Sequence, residues 1–212
     1  MPGDPDPAGR VRGRNAHSAI VGLCCILVGS LACDGSSPTA PALRPSCGPW
    51  PDQTTSPWVL PYPAGSAFVV NQGNCTPGTH AAGTRDGYAY DFEMPIGSPV
   101  IAARSGVVGE LEERFRDGNG VVAEANYVLL RHDDGSASVY FHLTQGGVLV
   151  SLGQAVRQGE LIALSGQTGR AGIRPHLHFG VLGGSGLTIP VTFRNTEPHP
   201  NGLQQGSSYV AF

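Results

Sequence analysis

The chain contains few charged residues and no lysine, and both absences restrict what it can bind. Charged residues make up 14% of the 212 positions, all 13 basic residues are arginines, and the formal net charge is −3. Such a charge set supplies no basic field that would draw the protein onto nucleic acid or an anionic lipid surface. We therefore predict no nucleic-acid partner, and the length is that of one domain of ordinary size.

Long helical patterns are also missing. The sequence has 31 glycines and 18 prolines, and its apolar residues fall into short runs separated by turns. The turn sequences Asp117-Gly118-Asn119-Gly120 and Asp133-Asp134-Gly135 are typical of β-hairpins. This pattern predicts a mainly β fold, an antiparallel sheet or sandwich in a single domain.

Two segments, 97–108 and 153–162, repeat one theme. In each, a glycine opens a turn, small apolar residues enter a strand, and a second glycine closes it. The theme resembles the hammerhead-like turns of biotinyl and lipoyl carrier domains. Because the chain has no lysine to carry biotin or lipoate, the carrier function is excluded, although the architecture can be shared.

Residues 1–33 are typical of an export signal. Three arginines between positions 10 and 14 precede an almost uncharged apolar run, 19–32, which is too short to span a bilayer comfortably. The run ends in Ser30-Leu31-Ala32-Cys33, which resembles a bacterial lipoprotein signal with Cys33 as the lipidated residue and membrane anchor. That pattern usually has leucine where this sequence has Ser30, so ordinary signal cleavage stays open. Both routes predict an exported protein of the cell envelope, in the periplasm or on the outer surface.

Two of the five cysteines remain for the exported domain. Cys47 and Cys75 predict a disulfide rather than a metal pair in an exported protein, with two unpaired thiols as the alternative. Residues 34–62 are rich in proline, serine and threonine and predict a linker. The remaining chain is predicted to form a domain at 63–195 and a tail at 196–212.

Histidine and aspartate side chains interrupt three predicted strands. His176 and His178 are two residues apart in Pro175-His176-Leu177-His178-Phe179, so in a strand they project from the same face. His142 lies between Phe141 and Leu143, and we expect it on the opposite face from both if the strand is regular. Asp91 lies in an aromatic strand, where burying an unpaired carboxylate is costly. These residues predict a metal or hydrogen-bonded site.

Further motifs accompany these residues in a fixed order. They are Ala89-Tyr90-Asp91-Phe92, Gly97-Ser98-Pro99-Val100, Tyr140-Phe141-His142-Leu143, Ser165-Gly166-Gln167-Thr168-Gly169 and His176-Leu177-His178-Phe179. With this series, the stretch from 60 to 195 resembles the lysostaphin-type (LytM-like) peptidoglycan endopeptidase family. The resemblance implies one zinc ion, bound by an early histidine, the aspartate and the second histidine of the His-x-His pair.

Carried over to this sequence, two of the zinc ligands are Asp91 and His178, while His142 and His176 match positions that assist catalysis. The early histidine most often lies four residues before the aspartate, where this chain has Gly87. His80, eleven residues before Asp91, takes the role instead, as in branches of the family with a longer loop. Which of His142 and His176 is the general base stays open.

The predicted function is therefore zinc-dependent hydrolysis of peptide bonds in bacterial peptidoglycan cross-links, by a monomer. Two alternatives stay open: a non-catalytic protein that binds peptidoglycan or regulates an amidase, and a zinc-bearing carbohydrate-binding or structural module. Two further histidines of the predicted exported part are assigned no part in the chemistry. His132, beside a turn, is expected to be structural or exposed, and His199 to face solvent.

Overall fold

The computed structural model of this protein describes residues 47–212. The predicted signal peptide, the lipidation residue Cys33 and the first part of the predicted linker lie outside the described residues. Within the described part, no helix has the length and apolar character needed to cross a membrane.

Short strands dominate residues 47–212. The described strands are β1 (Ala67–Gln72), β2 (Tyr90–Glu93), β3 (Pro99–Ile101), β4 (Gly106–Glu112), β5 (Asn126–Arg131), β6 (Ala137–Val148), β7 (Ala155–Val156), β8 (Leu161–Ser165), β9 (Leu177–Leu182) and β10 (Ser208–Val210). A 3₁₀ turn at Gln53–Thr55 is the helical element of this part, and Asp52 caps it by accepting from the Thr54 amide.

All strand pairs in the described part are antiparallel. The main path of the sheet runs β10-β1-β2-β9-β6-β5-β4-β7, and β8 joins β3 to β6 beside this path. The mainly β, antiparallel fold predicted from the sequence is confirmed. The long strand β6 is the junction, because its first half pairs with β9 and its second half with β8.

The core forms where alternate residues of neighbouring strands point to one side of the sheet. Leu177, Phe179 and Val181 of β9 are buried there, as are Tyr90 and Phe92 of β2. Alternation sends the residues between them to the other face. Asp91 and His178 therefore lie together on the side opposite the core.

The packed body extends beyond the predicted bounds 63–195 at both ends. In the predicted linker, Trp58, Leu60 and Tyr62 are 5%, 0% and 0% exposed, so this part packs into the core. These three side chains are two residues apart, and Pro61 between Leu60 and Tyr62 is buried with them. In the predicted tail, β10 pairs with β1 and Tyr209 is buried.

The sulfur atoms of Cys47 and Cys75 are in bonding contact, and their Cα atoms are 6.0 Å apart, as in a disulfide. The bond ties the start of the described chain to the connection between β1 and β2. That connection carries His80, five residues after Cys75.

Candidate metal centre and active site

The centre of the site is a cross-strand pair. Asp91 of β2 is directly opposite His178 of β9, and His178 Nδ1 lies 2.9 Å from Asp91 Oδ1. The side chains are 8% and 12% exposed, respectively. Sheet register alone thus brings together two residues that are 87 positions apart in the chain.

His80 completes the group from the connection between β1 and β2. Its side chain is fully buried, and its Nε2 lies 3.3 Å from both Asp91 Oδ1 and His178 Nδ1. The three donor atoms therefore form a triangle with sides of 2.9 to 3.3 Å. Ligands of tetrahedral zinc with bonds of about 2.0 to 2.1 Å are roughly 3.3 Å apart, so this donor set fits a zinc ion.

The charges in the cluster are strongly coupled. Burial raises the pKa of Asp91, but hydrogen bonds from His178 and His80 outweigh that effect and hold the pKa well below its usual value. Burial likewise lowers the pKa of His178, and the hydrogen bond and charge of Asp91 reverse it to a net increase. The carboxylate of Asp91 is therefore ionised, which is the form that ligates a metal ion, and it is in contact with the imidazoles of His80 and His178.

His176 lies next to this cluster, just before β9 begins. Its Nδ1 lies 3.0 Å from the carbonyl oxygen of Arg174, and a carbonyl can only accept, so Nδ1 carries the hydrogen. The other nitrogen, Nε2, is 3.6 Å from Asp91 Oδ2. The sequence expectation that His176 and His178 share a face agrees with this placement.

His142 reaches the site through a β-bulge. The register of β5 and β6 shifts between Tyr127↔Phe141 and Asn126↔Leu143, which leaves His142 without a partner on β5, and its φ is +64°. Phe141 is opposite His178 and so shares its face. A regular strand would have turned His142 to the other side, and the bulge brings it back.

One hydrogen bond, one ring contact and burial define the chemistry of His142. Its Nδ1 donates to the carbonyl oxygen of Thr168 at 2.7 Å, and its ring centroid is 4.7 Å from that of His176. Burial, together with the neighbouring His176 and His178, lowers the pKa of His142 to about 4. At neutral pH the ring is therefore uncharged, with a lone pair on Nε2.

The five residues lie in or beside an open cleft of about 450 Å³. Sequence reasoning missed several residues that line it: Gln72, Arg85, Asp86, Val122 and Arg170. Gln72 lies at the end of β1 opposite Asp91, a place that follows only once the register of β1 and β2 is known. The others lie in loops, whose course the residue pattern does not predict.

The two remaining histidines of the described part are structural. His132 Nδ1 donates to Ser105 O at 2.9 Å, and its Nε2 lies 3.0 Å from Ser138 Oγ. His199 is 3% exposed, so the expectation that it faces solvent was wrong. It accepts from the Phe193 amide at 3.0 Å, a contact that secures the segment after β9.

Residues 85–188 match the model of peptidase family M23. A segment of 92 residues is 39% identical to peptidoglycan DD-endopeptidase ShyA of Vibrio cholerae and covers 43% of this chain but 19% of that protein. A segment of 89 residues is 42% identical to an uncharacterized metalloprotease of Haemophilus influenzae, covering 42% and 17%, respectively. The chain thus spans about a fifth of the length of these curated relatives.

Among solved structures, the catalytic domain of the antimicrobial peptidase lysostaphin from Staphylococcus simulans is 30% identical. The match covers 57% of this chain and 80% of that domain, with a TM-score of 0.37. The segment matched by the family model contains Asp91, His142, His176 and His178, whereas His80 lies five residues before it.

Proposed function

This chain belongs to peptidase family M23, and from that premise we propose that it is a zinc-dependent endopeptidase that hydrolyses peptide bonds in bacterial peptidoglycan cross-links. The family resemblance predicted from the sequence is confirmed. The observation that carries the proposal is the triangle of His80 Nε2, Asp91 Oδ1 and His178 Nδ1 at the edge of an open cleft.

In this proposal His80, Asp91 and His178 hold one zinc ion. Two imidazoles and one carboxylate are three protein ligands, the number typical of catalytic rather than structural zinc sites. When bound, the ion supplies Lewis acidity for amide hydrolysis. The chain's own task is then to place the peptide and to move protons at the scissile bond.

Proton transfer is assigned to the two imidazoles outside the triangle. His142 is neutral at pH 7, and its Nδ1–H donates a hydrogen bond to the Thr168 carbonyl oxygen. Nε2 is therefore free to accept the proton of the attacking water and to deliver it to the leaving amine. His176 has the same arrangement, with Nδ1 held by Arg174 O, and when its Nε2 is protonated as well, that N–H can donate a hydrogen bond to the oxyanion that develops from the reacting carbonyl group. Peptide hydrolysis requires both functions.

The place of action in the proposal is the cell envelope, since peptidoglycan lies there. The peptidoglycan endopeptidase among the relatives supports that substrate. Export by residues 1–33, anchoring through a lipidated Cys33 and a monomeric state are parts of the same proposal.

Purified full-length protein tests the proposal. We expect it to release soluble fragments from purified cell walls and a chelator to abolish that release. Asp91→Asn and His178→Ala should lose zinc and activity, whereas His142→Ala should keep zinc and lose at least about 100-fold in turnover, the usual size of a general-base contribution. Asp133→Asn is the matched control, because its carboxylate is 88% exposed and outside the cleft.

The outcome that contradicts the proposal is zinc-loaded, folded protein that leaves cell walls intact. Binding to walls without cleavage would then favour the non-catalytic alternative. For His80, full zinc occupancy in His80→Ala would mean that another residue supplies the third ligand.

A further inference from the structure

The connection between β4 and β5, residues 113–125, makes hydrogen bonds to residues 167–169. This segment supports His142 through the carbonyl of Thr168. Asp117 uses both carboxylate oxygens there: Oδ1 accepts from the Gln167 amide at 2.5 Å, and Oδ2 accepts from Thr144 Oγ at 2.5 Å. The Gly118 amide donates to the Gln167 carbonyl at 2.9 Å. Both backbone groups of Gln167 are therefore held by this connection.

Asn119 holds the other end of the same segment. Its Oδ1 accepts from the Gly169 amide at 2.9 Å and from the Val121 amide at 3.1 Å. Its Nδ2 donates to the Glu124 carbonyl at 2.9 Å, which fixes the side chain within its own loop. Asp117 and Asn119 thus bind the residues immediately before and after Thr168.

Thr168 lies between these two hydrogen-bonded residues and is fully buried. Its Oγ accepts from the Asn126 amide at 2.9 Å and donates to the Leu143 carbonyl at 2.8 Å. Its own carbonyl oxygen receives the Nδ1 hydrogen of His142 at 2.7 Å. The position of that carbonyl decides which nitrogen of His142 is protonated.

The segment also lies tightly against the loop. A Cβ on Gly166 would be 2.5 Å from Asp117 Oδ1, and one on Gly169 would be 2.7 Å from Ala125 Cβ, while Gly169 has a φ of +71°. The two glycines therefore permit the close approach on which the hydrogen bonds depend.

We propose that Asp117 and Asn119 are positioning residues for His142. They hold residues 167–169 in place, so that the Thr168 carbonyl keeps the proton on Nδ1 and directs the Nε2 lone pair of His142 at the cleft. The proposal rests on the proposed function for the role of His142 in catalysis, and its structural half stands apart from that role. An imidazole on a bulge with φ of +64° depends on such support more than one on a regular strand.

The test compares Asn119→Ala and Asp117→Ala with Asp117→Asn and Arg116→Ala in the full chain. Asp117→Asn keeps an acceptor for the Gln167 amide and is expected to restore near wild-type turnover. Arg116 is an exposed residue of the same loop and is the matched control. For the two alanine variants we expect kcat to fall about 10- to 100-fold, with KM and zinc content unchanged.

A spectroscopic readout separates positioning from general stability. In ¹⁵N-histidine-labelled protein, the His142 ring should be a pure Nδ1–H tautomer in wild type and in Arg116→Ala, and a mixture in Asn119→Ala. Thermal denaturation confirms that each variant is folded at the assay temperature, and if one of the two alanine variants is not folded, the tautomer and the turnover of the other decide the test.

Two results would overturn the proposal: an unchanged His142 tautomer in Asn119→Ala, or turnover lost only in proportion to zinc or to folded protein. If wild type itself does not cleave cell walls, the proposed function fails, and the tautomer measurement still decides whether Asp117 and Asn119 position His142.

Discussion

His132 and His199 illustrate how a buried imidazole outside the cleft contributes to stability. In both, Nδ1 donates to a backbone carbonyl and Nε2 accepts a hydrogen bond, so both rings are neutral. Burial lowers the pKa of each below its ordinary value. Protonation would place a charge on a buried ring and would remove the hydrogen bond that Nε2 accepts from a backbone amide.

The expected consequence is acid sensitivity. Between the lowered folded pKa and the unfolded pKa of about 6.5, the unfolded chain binds more protons, so stability is complete above that range and decreases as pH falls through it. Urea denaturation at pH 8, 7, 6 and 5 should show this loss for zinc-saturated protein. The double variant His132→Gln/His199→Gln should have a shallower pH dependence; an identical slope would assign the loss to other groups.

At the scale of elements, the sequence predicted the strands but not the irregularity that matters most. Alternation of apolar residues identified the strand regions around Asp91, His142 and His178, and it predicted that His176 and His178 share a face. It could not predict the bulge at His142, because a positive φ at a non-glycine residue has no composition signal. The loop residues of the cleft were missed for a similar reason.

The bulge predicts an unusual order of stability for substitutions at position 142. Asparagine tolerates a positive φ, whereas the β-branched valine does not, so His142→Val should be about 1 to 3 kcal/mol less stable than His142→Asn. Urea denaturation measures the difference. Leu129, at a regular position of β5, is the control, where valine should be the more stable of the two. If the asparagine variant were the more stable of the two at both positions, or the valine variant at both, the left-handed backbone conformation of His142 would be contradicted.

At the scale of the whole molecule, the segments near both ends of the described chain belong to the packed domain. Leu60 and Tyr62 enter the core, and β10 pairs with β1. Sequence reasoning placed these segments outside the domain because prolines, serines and threonines outweighed the few apolar residues. The composition of a segment does not reveal that single aromatic residues within it, such as Tyr62 and Tyr209, are buried. The bounds of the domain were therefore predicted less well than the strands.

The disulfide should contribute measurably to this arrangement. The bond between Cys47 and Cys75 spans 28 residues, and closing a loop of that size in the unfolded chain is worth about 3 to 4 kcal/mol. We expect Cys47→Ser/Cys75→Ser to lower the free energy of unfolding by this order and to weaken zinc binding through the mobility of His80. The control is wild type with reductant, which should match the variant. Equal stability of oxidised wild type and variant would contradict the expectation.

The donor atoms of the triangle come from two places far apart along the chain, since His80 and Asp91 lie near each other and His178 follows Asp91 by 87 residues. A cation held there would act as a second cross-link, closing a much longer loop than the disulfide does. The same three side chains would then contribute to both stability and catalysis. Loss of the ion would lower the free energy of unfolding as well as abolish peptide hydrolysis.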